Sequence, residues 1–123
     1  MINMDLNAQK RALVKLRREY AQILLDVRGR LHDVSQSDDD PVTSDVPTHD
    51  ADVGTALFER ERDMAFEQEY VDTLAMIDAA LSRIDDGTYT RCARCGNPVG
   101  EERQMALPYA ILCIRDQELE ERM

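Results

Sequence analysis

The tightest constraint in this chain is Cys92-Ala93-Arg94-Cys95-Gly96, answered by Cys113-Ile114-Arg115-Asp116. Two close ligand pairs separated by roughly fifteen to twenty positions have the spacing of a structural zinc site, because each pair bends around one side of a tetrahedron. Gly96 permits the positive φ that such a knuckle often needs. The fourth position carries a carboxylate where a cysteine would complete the set. Aspartate ligates zinc through oxygen but is a weaker partner than thiolate in a structural site. The spacing therefore designates Cys92, Cys95, Cys113 and Asp116 as zinc ligands. Two other readings stay open: a metal-free module held by the packing of Ile111 and Leu112, and a redox-active Cys-x-x-Cys. An iron–sulfur cluster, which usually wants four thiolates, ranks below both. Three cysteines cannot all pair within one chain, which favours reduced thiols over a disulfide framework.

At 123 residues the chain is expected to be one domain, or one small domain with an appended module. A third of its residues are charged and it has no tryptophan, which points to long solvated helices instead of a bulky globular core. The net charge of −10 is unevenly placed. Residues 1–31 hold seven Lys or Arg against three acids, whereas residues 32–59 hold eight acids and no Lys or Arg. That balance argues against sequence-specific DNA binding, since phosphate contacts need concentrated basic charge. A basic-surfaced protein or a metal ion is the better-matched partner. No apolar run reaches the length of a membrane span and the N-terminus has no signal-peptide pattern, so a cytoplasmic location is expected.

From about Asp5 to Val34, the residues Leu6, Leu13, Leu16, Tyr20, Leu24, Val27, Leu31 and Val34 trace a helix face. From Leu13 onward their steps are three or four. Turn formers and two prolines over 35–47 predict a loop. The helical period returns near Asp50 and runs to Asp85 through Leu57, Met64, Val71, Leu74, Ile77, Leu81 and Ile84. Gly87 suits the left-handed residue that closes a helix. Two amphipathic helices of about thirty residues, joined by a loop, cover each other's stripes by folding back as an antiparallel hairpin. The expected fold class is thus mainly α: a long antiparallel helical hairpin, or coiled-coil finger, plus a small C-terminal zinc-finger-like module with a short terminal helix from about Pro108. The expected division is 1–87 for the hairpin, with an acidic tip loop at about 35–52, and 88–123 for the module. Ala110, Ile111 and Ile114 are candidates to pack the module against the hairpin base.

Several stretches together resemble the DksA/TraR zinc-finger family, and the branch found in Gram-positive and related bacteria in particular. They are Phe58 to Asp63, Asp85-Asp86-Gly87-Thr88-Tyr89, the knuckle Cys92 to Gly96, and Ala106-Leu107-Pro108-Tyr109-Ala110. The resemblance implies a monomeric, non-enzymatic transcription regulator that binds bacterial RNA polymerase. Members insert the coiled-coil tip into the secondary channel to modulate initiation, often together with the nucleotide ppGpp. Family tips typically carry two aspartates three positions apart. Here the second matches Asp52, the position three earlier is His49, and Asp50 lies between, so His49, Asp50 and Asp52 are the partner-binding candidates. No motif here matches the residues that read ppGpp.

Asp50 and Asp52 also suit helix capping, where carboxylates accept free N–H groups at the positive end. The run Asp38-Asp39-Asp40 reads as a solvated loop, lacking the alternating ligands and glycine of a calcium loop. His32 and His49 are too far from the cysteines in sequence to replace the missing ligand. Arg91 and Arg94 flank the knuckle as ordinary surface cations or as contacts to a partner's acids. An enzyme is not expected, because the chain has no nucleophile–base pair and no glycine-rich phosphate loop. The alternative to a polymerase regulator is a structural or metal-buffering helical protein that kept this fold and no longer acts on polymerase.

Overall fold

A computed structural model of the protein describes residues 4–38 and 50–122, with side-chain surroundings for 4–32 and 54–122. Four helices account for most of it: α1 (Leu6–Asp38), α2 (Asp50–Asp86), α3 (Glu101–Ala106) and α4 (Ile114–Glu121). Among the described residues the only extended pairing outside helices is an isolated antiparallel bridge between Arg91 and Pro98. The mainly α architecture expected from the hydrophobic periods is the one observed.

Helix α1 opens on Asp5, whose Oδ1 accepts the backbone N–H of Asn7 at 2.9 Å and whose carbonyl accepts that of Gln9, capping two otherwise unpaired donors. The helix continues through Ser35–Asp38, where a loop was expected. Its residues there have no proline, and Pro41, the next breaker, constrains only the residue before it. Helix α2 already includes 50–52 and closes at Gly87, which has φ 80°. There Thr88 N–H bonds to the Arg83 carbonyl (2.9 Å) and Gly87 N–H to that of Ile84 (3.2 Å), the paired bonds of a Schellman cap.

The chain divides into two compact units. The first comprises Met1–Glu19 and Thr73–Met123, the second Tyr20–Asp72. In the first unit, Leu13, Ile77 and Ala80 are completely buried, and the ion pairs Lys10–Asp85 (3.3 Å) and Arg17–Asp78 (2.7 Å) set α1 and α2 antiparallel. Its C-terminal part has a small core of Cys92, Val99 and Ala110, against which Leu107, Leu112 and Cys113 pack. In the second unit Leu24 and Val27 are buried, Tyr20 and Tyr70 rings lie 5.6 Å apart, and Arg28–Glu67 and Arg30–Asp63 are paired. The helices run antiparallel there too.

The face expected on α1 is observed at Leu13, Leu24 and Val27, while Leu6 is 42% exposed. On α2 the outcome differs: Leu57 (56%) and Met64 (54%) are exposed, and the buried position beside Met64 is Asp63 at 6%. Arg60, Asp63, Glu67, Tyr70, Leu74, Ile77, Leu81 and Ile84 are all shielded and step by three and four, with Val71, Thr73, Met76, Ala79, Ala80 and Arg83 shielded beside them. That is a heptad seam, with charged members toward its N-terminal end. Of the expected apolar face, Val71, Leu74, Ile77, Leu81 and Ile84 are shielded, and Leu57 and Met64 fall outside it.

The expected helix from Pro108 is also corrected. Helix α3 precedes it, Pro108-Tyr109 form a turn, and α4 starts only at Ile114. Two carbonyls that a helix would use are taken by side chains, Pro108 O by Tyr89 Oη–H at 2.7 Å and Ala110 O by Gln104 Nε2 at 3.2 Å. Ile114 is 63% exposed and does not pack the module; Ala110 does.

Candidate metal centre

The first ligand pair sits on a turn set by the backbone. Val99 N–H bonds to Thr90 O (2.9 Å) and Cys92 N–H to Asn97 O (2.7 Å), pinching the chain on either side of Cys95. Gly96, at φ 79°, turns its N–H back to the Cys92 carbonyl at 3.0 Å; a residue with a side chain would be strained in this left-handed conformation. The Arg94 N–H points at Cys92 Sγ, 3.4 Å away. Arg91, expected at the surface, is exposed and its guanidinium reaches the Gly96 carbonyl at 3.3 Å, bracing the same turn.

The second pair comes from the start of α4. Cys113 is its N-cap residue, in extended conformation (φ −66°, ψ 161°), and Asp116 lies in the first turn. Cys113 is thus the residue before the helix, and Asp116 reaches the same side because positions three apart at a helix start share a face. Ala93 N–H bonds to Ile111 O at 2.8 Å, tying the knuckle to the segment that leads into Cys113.

These elements bring Cys92, Cys95, Cys113 and Asp116 together, with one ligand atom of each within 4.8 Å of all the others. Cys95 and Cys113 sulfurs are 3.8 Å apart. That is the edge of a tetrahedron with metal–sulfur bonds of about 2.3 Å. Asp116 Oδ2 is 3.0 Å from Cys92 Sγ and 3.4 Å from Cys113 Sγ. A zinc with one oxygen ligand asks for edges of about 3.6 Å, so the carboxylate would withdraw by a few tenths of an ångström. Donor types, count and spacing fit zinc.

The electrostatics centre on the carboxylate. Hydrogen bonds from Cys92, then Cys95 and Cys113, hold the Asp116 carboxyl below its ordinary value. The same carboxylate is the main reason the Cys95 thiol is pushed up to about 12. Burial and Asp116 also push the Cys92 thiol up, but backbone N–H groups of Cys113, Cys95 and Arg94 favour its thiolate and leave it lowered. A cation among these groups replaces thiol protons, so binding releases protons and weakens in acid.

Beneath the site lies a polar clasp that the sequence did not advertise. Gln9 Nε2 donates to Tyr89 Oη (2.9 Å) and to Gln104 O (2.8 Å), and Gln104 Nε2 donates to Tyr89 O (2.6 Å) as well as Ala110 O. Tyr89, Gln9 and Gln104 are 1%, 8% and 0% exposed, so α1, α3 and both flanks of the metal loops are joined through a dehydrated network. Burial raises the Tyr89 phenol above its ordinary value, partly offset by Gln9. Glutamine has no hydrophobic signal; only Tyr89, one of the residues carrying the family resemblance, hinted at it.

Of the remaining site candidates, His49 lies outside the described residues. Asp50 and Asp52 are backbone positions in the first turn of α2, and their side chains lie outside the described surroundings. Among the described residues, no helix is long and apolar enough to cross a membrane.

Residues 87–122 match the prokaryotic dksA/traR C4-type zinc finger. General stress protein 16O of Bacillus subtilis is 32% identical over 76 residues, covering 62% of this chain and 47% of that protein. The RNA polymerase-binding transcription factor DksA of Caulobacter vibrioides is 41% identical over 49 residues, 40% of this chain and 34% of its own length. The chain thus spans about half or less of these curated relatives. The structure of transcription factor DksA2 from Pseudomonas aeruginosa is similar at 26% identity and a TM-score of 0.70, covering 95% of this chain and 83% of that one. The zinc-finger match over 87–122, the DksA relative and a DksA2-like fold over nearly the whole length agree, and together they support the DksA/TraR family.

Proposed function

We propose that this protein is a transcription regulator that binds bacterial RNA polymerase, with its tip residues His49, Asp50 and Asp52 entering the secondary channel to modulate initiation. The observation that carries the reading is a DksA2-like fold over 95% of the chain, ending in a dksA/traR-type zinc finger. A polymerase-binding relative, DksA of Caulobacter vibrioides, supports it.

In this reading residues 1–87 form the hairpin that presents the tip, and residues 88–123 form the module at its base. Cys92, Cys95, Cys113 and Asp116 hold zinc, which cross-links the knuckle to the start of α4. The Gln9–Tyr89–Gln104 clasp keeps that module against α1. The tip contributes charge near the polymerase active site and no catalytic group of its own.

In a reconstituted transcription assay, replacing both Asp50 and Asp52 by alanine abolishes regulation and leaves polymerase binding intact. Full regulation by that double variant overturns the tip mechanism.

A further inference from the structure

We propose that zinc is what holds helix α4 in place, and that Asp116 makes this hold exchangeable. The inference rests on reading Cys92, Cys95, Cys113 and Asp116 as zinc ligands. Among the residues of α4, Ile114 to Glu121, only Asp116 is buried. Its large apolar side chains face outward, Ile114 at 63% and Leu119 at 42% exposure. A helix of eight residues has no stability of its own in water, and ordinarily an apolar face would dock it. Here that face is missing, and the side chain that turns inward is a metal ligand.

The rest of the module does not share this dependence. Val99 and Ala110 form an apolar core with Leu107 and Leu112, which also takes in the ligands Cys92 and Cys113, and Gln104 is locked by two hydrogen bonds from its own amide. Loss of zinc therefore frees α4 and leaves the knuckle base, α3 and the clasp folded.

Exchange follows from the donor set and its exposure. Thiolates bind zinc more strongly than a carboxylate in such sites, so Asp116 is the first ligand to leave when a competing donor arrives. Cys95 is exposed, so a competitor reaches the metal from that side. Occupancy of α4's docked position then tracks free zinc.

The test is backbone hydrogen exchange of the full chain at matched zinc and chelator concentrations, with zinc stoichiometry measured in parallel. The expected result is one zinc per chain and loss of protection at 114–121 on chelation, with α1, α2 and residues 99–110 unchanged. Asp116→Asn is expected to weaken zinc by at least the roughly 10- to 100-fold typical of losing an outer-shell partner. Asp116→Cys is expected to tighten it and to slow transfer to the chelator. Bound zinc with unchanged protection on its removal, or with the same affinity and transfer rate in Asp116→Asn, overturns this inference and spares the ligand reading. No zinc bound at any concentration overturns the ligand reading itself.

Discussion

The two units of this protein are built from the same two helices and are stabilised differently. The unit containing Thr73–Met123 is dry: Leu13, Ile77, Ala80, Tyr89, Gln104 and Ala110 are all at or below 2% exposure. Among the described residues of the unit Tyr20–Asp72, the buried hydrophobic side chains are Leu24 and Val27, whereas Leu25, Leu57, Phe58 and Met64 are each more than half exposed. Ion pairs and tilted aromatic rings take the place of a core there. Burial is thus concentrated in the unit that contains the candidate metal centre. Among the described residues of the other unit, the two helices are held together by few buried groups, each of which matters more.

The largest test of that contrast is a matched pair of truncations. Ile77→Ala, at a position with no exposure, is expected to cost about 2–5 kcal/mol in chemical denaturation. Leu57→Ala removes a side chain of similar size at 56% exposure and is expected to change stability by no more than roughly 0.5 kcal/mol. Equal costs would erase the distinction between the units.

Next comes the clasp. Gln104→Ala leaves the Tyr89 and Ala110 carbonyls without their side-chain donor, and is expected to cost about 1–3 kcal/mol. Near-UV circular dichroism of the tyrosines reports whether Tyr89 loosens. An unchanged melting curve would show the network to be incidental.

A smaller effect, with a defined pH signature, belongs to Asp63. Its two hydrogen bonds from Arg30, at 3.1 and 3.2 Å, hold its carboxyl below the ordinary value of 3.8. A lowered carboxyl pKa contributes stability above the unfolded value, and that contribution is lost as pH falls through the folded one. Asp63→Asn is therefore expected to lower Tm at pH 6, with the gap to the unaltered protein closing only below about pH 3.8. A gap that is constant over this range would mean the loss is steric. Smallest is Arg28→Ala, whose pair with Glu67 has both partners over a third exposed, and which is expected to cost roughly 0.2–1 kcal/mol in low salt and less in high salt.

Legibility in the sequence followed the same division. Where residues are specified by distinctive chemistry, the structure brings them where the spacing suggests: the four candidate ligands lie together, and Gly87 closes α2. Helix α2 begins at the expected Asp50. The N-terminal part of the α2 face was misplaced, at Leu57 and Met64, because Arg60, Asp63 and Glu67 occupy the seam there, and a hydrophobic period cannot register charged members such as Asp63 and Glu67 that pair with Arg30 and Arg28. Helix α3 was missed because six residues with one buried glutamine carry no period. The late start of α4 depends on Tyr89 and Gln104 capturing carbonyls from afar, which local spacing cannot anticipate.

The most direct test of the account is binding to purified bacterial RNA polymerase with a photo-crosslinker placed beside Asp52. The account predicts binding at micromolar concentration or below, and crosslinks to the active-site end of the secondary channel. Crosslinks elsewhere on the enzyme, or no binding at that concentration, would contradict it and mean that the chain kept the family's fold for another task.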